Sequence, residues 1–178
     1  MKKVLILMMG LWLFLGCSSL RVNVDYDPKF DFSSQRDFVV LHKNREGEDT
    51  LYNDRVIRAL VSELEAKAYR KTEREEADLV FVFHTNVESK TDIDSDYRMI
   101  GYGGYGYSRM MVSSTRTYHY KKGTLIIDAL EPSSQKIVWR GVATDVLKKQ
   151  ETPQERTAYI NEVVKETMKD FPRRQAPQ

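Results

Sequence analysis

The sequence predicts an α+β domain: an antiparallel sheet of about six strands with two helices on one face, in the order β-β-α-β-β-β-β-α. Three observations carry that expectation. Two segments place apolar residues at helical spacing along a single stripe. Several short segments alternate apolar with polar residues, or are apolar throughout, as strands do. Most of these strands follow one another through short turns, which favours antiparallel pairing, and two one-sided helices suit packing on one sheet face.

Leu20 to Asp25 sets Leu20, Val22 and Val24 against Arg21, Asn23 and Asp25, the alternation of a half-buried strand. Tyr26-Asp27-Pro28 turns the chain, because Pro28 fixes its own φ and has no N–H to donate. Phe38, Val39, Val40 and Leu41 form a second strand over 37–42, and the polar stretch 43–50 with Gly47 is a loop. Leu51 to Ala68 reads as a helix: Val56, Ile57, Leu60, Val61 and Leu64 make the apolar stripe, and Arg55, Arg58, Glu63, Glu65 and Lys67 fill the other side. Leu79 to Phe83 are apolar in succession within a strand over 77–87, the pattern of a strand buried on both faces. Residues 88–111 show no apolar period and are rich in Asp, Gly and Tyr, so they are expected to form a mobile, exposed loop. Val112 to Tyr120 is a strand, and Lys121-Lys122-Gly123 is a tight connection to the next one over 124–130. Pro132-Ser133-Ser134 turns into a strand over 136–147. Thr152-Pro153-Gln154-Glu155 fits a capping box, with proline at the first helical position. Ile160, Val163, Val164, Met168 and Phe171 supply the stripe of that last helix, Pro172 ends it, and Arg173 to Gln178 is a polar tail. Leu60, Leu64, Val163, Val164 and Phe171 are the expected interior.

The first twenty residues read as an address. Lys2 and Lys3 precede an apolar run, Val4 to Leu15, broken only by Gly10. A membrane-spanning helix needs about 20 apolar residues, so this run has the length of a secretory signal instead. Leu13-Phe14-Leu15-Gly16-Cys17 resembles the bacterial lipoprotein lipobox, although Phe14 stands where such boxes usually carry Leu. Residues 1–16 are thus expected to be a signal peptide, and Cys17 to receive a diacylglyceryl thioether and, on its new amine, a further acyl chain such as palmitate. Several chains anchor stably where one binds only marginally. Ser18 after the cysteine, rather than Asp, resembles a signal for the outer membrane. Residues 17–178 then form one domain, lipid-anchored and facing the periplasm.

Composition narrows the partners. The full chain has 28 basic and 26 acidic residues; without Lys2 and Lys3 the two balance, which argues against an electrostatic grip on nucleic acid. The single cysteine excludes an internal disulfide and a cysteine zinc site. Gly101 to Gly106 matches G-x-G-x-x-G, but β-like residues follow where a dinucleotide motif needs a helix. Asp92, Asp94 and Asp96 open like a calcium loop, yet Tyr97 replaces the required glycine and Gly103 the bidentate glutamate. His42, His84 and His119 lack a metal-ligand spacing, although the last two are expected on neighbouring strands. No catalytic, metal or cofactor residues are selected. One cluster stands out: six of the ten tyrosines fall between Tyr97 and Tyr120. Tyr97, Tyr102, Tyr105 and Tyr107, set among glycines, are the candidate binding residues, since such loops make adaptable contact surface.

Taken together, several landmarks resemble a known family. They are Val24-Asp25-Tyr26-Asp27-Pro28, the helix end at Ala68-Tyr69-Arg70, Ala77-Asp78-Leu79-Val80, Gly123-Thr124-Leu125 to Asp128, Val138-Trp139-Arg140-Gly141, and Phe171-Pro172. The pattern is similar to that of the bacterial lipoprotein family catalogued as domain of unknown function 4136. This chain departs from it at Phe38-Val39-Val40, where the family tends to carry an aromatic residue with Trp, and at Ala68, in place of the usual Gly. The resemblance implies an envelope location and an α+β fold, and supplies no site residues. The expected function is therefore a non-enzymatic binding or structural role at the outer membrane, with an envelope protein or glycan as partner. The alternative is an enzyme or small-ligand carrier with a pocket between sheet and helices.

Overall fold

Residues 19–44, 46–101 and 109–174 are described by the structure, a computed structural model. They form β1 (Arg21–Tyr26), β2 (Asp37–Val40), α1 (Thr50–Ala66), β3 (Arg70–Lys71), β4 (Leu79–Gly101), β5 (Arg109–Leu130), β6 (Ile137–Val146) and α2 (Pro153–Met168). The strands make one sheet in the order β1-β6-β5-β4-β2-β3.

The sheet is mixed rather than purely antiparallel. β1, β6, β5 and β4 pair antiparallel, but β2 lies parallel to both β4 and β3. The cause is α1: a helix between two neighbouring strands returns the chain to the starting end, so the second strand runs with the first. β3 is a strand not expected from the sequence, so the strand count holds only because two expected strands merge. It is held by backbone bonds from Arg70 N to Arg36 O (2.9 Å) and Thr72 N to Phe38 O (2.9 Å), and by the bidentate grip of the Arg70 guanidinium on Asp37 (2.6 and 2.8 Å). The two strands expected at 112–120 and 124–130 are one strand. Gly123 does not turn; it stays in the ladder between Val87 and Asp145.

The loop expected over 88–111 is corrected over residues 88–101 and 109–111, while residues 102–108 lie outside the described residues. Glu88 to Gly101 continues β4 and Arg109 to Met111 begins β5, paired in one unbroken register from Val80↔Leu130 to Gly101↔Arg109. The alternation that supports this ribbon sets charged against uncharged positions: Glu88, Lys90, Asp92, Asp94, Asp96 and Arg98 are interleaved with Ser89, Thr91, Ile93, Ser95, Tyr97 and Met99. Beyond Lys122↔Val146, among the described residues, the ribbon has no third strand at β5's side.

One sheet face and both helices share the core. Phe81, Ala129 and Trp139 are neighbours across three strands, as are Phe83, Ile127 and Gly141, and Phe38 lies beside Leu79. Against them pack Val56, Leu60 and Leu64 of α1 and Val163, Val164 and Met168 of α2. The expected interior residues Leu60, Leu64, Val163, Val164 and Phe171 are all buried. The helices run side by side in the same direction: Arg55 Nε donates to Thr157 Oγ1 (3.2 Å) near their starts, and Lys67 Nζ donates to the Lys169 and Phe171 carbonyls (3.1 and 2.9 Å) at their ends. Asp49 caps α1 through Tyr52 N (3.1 Å), and the capping box read at Thr152 and Glu155 caps α2. Both helix starts therefore face the end of the sheet from which the ribbon emerges.

Candidate functional site

The predicted site residues fall in two groups. Cys17, Tyr102, Tyr105 and Tyr107, like the signal segment 1–16, lie outside the described residues. Tyr97 is in β4, in register with Ser113. Tyr118 and Tyr120 belong to the ribbon, opposite Asp92 and Lys90, with Tyr118 exposed. The three histidines do not converge. His42 stacks on Phe83 (centroids 4.2 Å apart) with Nε2 3.0 Å from Glu48, His84 pairs with Ile126, and His119 pairs with Thr91 far along the ribbon. Asp92 and Asp94 are in extended backbone, which spaces alternate residues by about 7 Å instead of curling them round a cation. Among the described residues no group of three or more His, Cys, Asp or Glu could hold a metal, and no helix is long and apolar enough to cross a membrane.

The landmark motifs turn out to build the fold. Asp27 N donates to Val138 O (2.9 Å), joining the first turn to β6. Asp78 accepts from the N–H groups of Arg36 and Asp37 (2.8 and 2.9 Å), tying the start of β4 to β2. Arg140 grips its cross-strand neighbour Asp128 through Nε and Nη2 (2.6 and 2.8 Å) on the face away from the helices. Trp139 lies over Gly141. A Cβ at Gly141 would stand 2.5 Å from the indole and 2.7 Å from the Thr167 methyl, so only glycine lets ring, sheet and α2 close together.

The candidate site is a cleft of about 400 Å³ at the ribbon end of the sandwich, where the helices begin but the sheet runs on. Leu125, Ala143, Ile160 and Val163 form its floor, and Leu20, Val87 and Leu147 line the mouth. Gly123 lies close under Leu147: a Cβ there would come within 2.7 Å of Leu147 Cδ2, the movable end of that side chain. Several polar groups of the rim bind one another. The Tyr159 hydroxyl donates to Asp145 Oδ2 (3.0 Å), and the Ser19 hydroxyl donates to the other oxygen of the same carboxylate. Asn53 Nδ2 donates to Asn44 Oδ1 (2.8 Å) and Glu48 Oε2 (3.2 Å). Burial raises the pKa of the Tyr52 and Tyr159 hydroxyls, helped at Tyr159 by the Asp145 carboxylate, so both stay neutral at ordinary pH. A concave, largely apolar cavity with a few fixed polar groups suits holding a guest.

A mixed six-stranded sheet with a parallel helix pair on one face, and a cleft where that pair begins, defines an α+β domain. The chain belongs to the family described as Domain of unknown function (DUF4136), whose model matches residues 22–173. Two solved structures share the fold. A PDZ domain protein from Parabacteroides distasonis is 11% identical with a TM-score of 0.55; the match covers 89% of this chain and 36% of that one, so this chain spans about a third of its length. A PelC dodecamer from Paraburkholderia phytofirmans is 12% identical with a TM-score of 0.51, covering 88% of this chain and 99% of the PelC chain. No curated protein matches.

Proposed function

We propose that this is a lipid-anchored protein of the bacterial envelope that works by binding rather than by catalysis, with the cleft as its binding site. In this reading Cys17 carries the anchor, Ser18 directs the protein to the outer membrane, and the domain faces the periplasm. The observation that supports it is one of direction. Arg21 pairs with Thr144, Thr144 with Thr124, and Thr124 with Asn86. The chain running back from Arg21 toward Cys17 therefore leaves the sheet at the same end as the ribbon, where the cleft opens. Ser19 is two residues from Cys17, a reach of about 7 Å at most. An anchor at Cys17 would hold the cleft and the base of the ribbon against the membrane surface, within reach of lipid, glycan or a membrane-bound protein. The cleft draws the carrier alternative into the same reading, as a site for a small amphipathic guest.

The test has two parts. Wild-type protein should incorporate clickable palmitate and fractionate with the outer membrane, whereas Cys17→Ala should do neither; equal labelling of the variant overturns the anchor. The soluble domain from residue 19 should enhance the fluorescence of an apolar naphthalene dye at least several-fold more than Thr85→Trp, which projects a large ring into the cleft from an exposed position. Equal enhancement by both overturns the cleft as the site.

A further inference from the structure

We propose that the cleft seats one of the acyl chains carried on Cys17, so that the protein shelters part of its own anchor. This rests on the anchored reading above and names the guest. Three features of the cleft select an unbranched alkyl chain. Its floor is hydrocarbon: Leu125, Ala143, Ile160 and Val163 are all buried there. Several of the rim donors and acceptors are already engaged, Tyr159 and Ser19 on Asp145, Asn53 on Asn44 and Glu48, Arg55 Nε on Thr157, and Arg156 Nε on the Gln150 carbonyl (3.4 Å). A sugar or peptide would have to break those bonds to find partners, whereas methylene groups need none. And Val87 stands 58% exposed at the mouth, an apolar side chain that an entering chain would cover.

The tether supplies the rest. Leu20 is itself part of the lining, and Ser19 is fixed to Asp145 at the rim. The glyceryl group on Cys17 is then at most about 10 Å from the mouth by chain length. A tethered chain samples the cleft at a high effective concentration without any search. Exchange between bilayer and cleft moves hydrocarbon into hydrocarbon, so it carries little hydrophobic driving force; exchange between water and cleft carries all of it. The seat therefore matters most while the protein is away from a bilayer.

The decisive experiment feeds cells a palmitate analogue bearing an alkyne and a diazirine, purifies the full-length protein away from the membrane, dilutes the detergent below its micelle concentration, irradiates, and maps cross-linked peptides by mass spectrometry. The expected result is a cross-link from the lipidated N-terminal peptide to the segments holding Leu125 or Val163, reduced at least five-fold in Thr85→Trp and in Val87→Trp with palmitate labelling unchanged. Labelled protein cross-linked only to phospholipid, or with cleft cross-links undiminished in both variants, overturns the seat and leaves the anchor standing. Absence of label overturns the anchor itself, and the seat with it.

Discussion

Ala68 holds φ at 70°, a conformation that crowds the Cβ of any L-residue and that glycine adopts freely. It is the residue at which α1 ends, with Ala68 N on Glu65 O (2.9 Å) and Tyr69 N on Leu64 O (3.1 Å). The glycine that the family resemblance implies at this point would adopt this φ freely, whereas Ala68 holds it with strain. The landmarks were visible in the sequence, but their reason was not, because a motif gives no φ and no cross-strand partner. Tyr69, the next residue, shows the same gap. Its ring is buried, its hydroxyl has no hydrogen-bond partner among the described residues, and burial pushes its pKa up from 10.0 to about 12. A folded value above the unfolded one means that the fold holds the neutral phenol. That contribution is intact below pH 10 and is lost as pH rises through about 12. Tyr69→Phe should leave stability at pH 7 unchanged or raise it by about 1–2 kcal/mol, since an unpaired buried hydroxyl is removed. It should also flatten the decline between pH 10 and 12. Urea melts across that range check both; a loss above 1 kcal/mol at pH 7 would mean that the hydroxyl is satisfied in solution.

Helices were the most legible elements, because their apolar stripes and the Thr152 capping box state their own period and start. The ribbon was the least legible. Its strands alternate charged with uncharged residues, so a search for apolar periodicity passes over them, and the glycines and aspartates suggest a loop. β3 failed differently, being a two-residue pairing held by an ion pair and two backbone bonds. A two-stranded hairpin is marginal on its own in water, and the ribbon side chains from Asn86 to Thr91 are exposed. The ribbon should therefore contribute little to the stability of the sheet beneath it. Replacing Ser89–Lys121 by Asn-Gly joins Glu88 to its register partner Lys122 through a two-residue turn. This trimmed chain should keep its circular dichroism and melt within about 4 °C of the parent, roughly the effect of 1 kcal/mol in a domain of this size. A larger fall would show that the ribbon braces the core, and would take from it the freedom to serve as a contact surface.

At the scale of the whole molecule, the two ends of the sandwich do different work. A pocket between sheet and helices was among the expectations, but not its place, because its lining comes from segments as distant as Leu20 and Val163, which read separately as strand and helix stripe. The opening arises only because the helices start short of the sheet's end. The opposite end is closed by one residue. Phe171 follows α2, is 1% exposed, and lies edge-on or tilted against Phe32, Tyr69, Phe81 and Trp139 at centroid distances of 5.2–5.7 Å. Those four rings come from the turn after β1, the end of α1, and strands β4 and β6, so Phe171 joins every layer. Its carbonyl also receives Lys67 Nζ, which locks the helix ends together. Phe171→Ala removes the shared partner of four rings and leaves a cavity, which should cost about 3–5 kcal/mol. Against a total stability of about 5–15 kcal/mol, that is a large fraction of what holds the domain. Urea unfolding should show the midpoint fall sharply within a single transition, with tryptophan fluorescence and circular dichroism moving together as one cooperative unit. Dye binding at the cleft should persist in the fraction that remains folded, since the substitution is at the far end. Two separated transitions, with the sheet outlasting the helices, would contradict the role of Phe171 as the residue that makes helices and sheet fold as one.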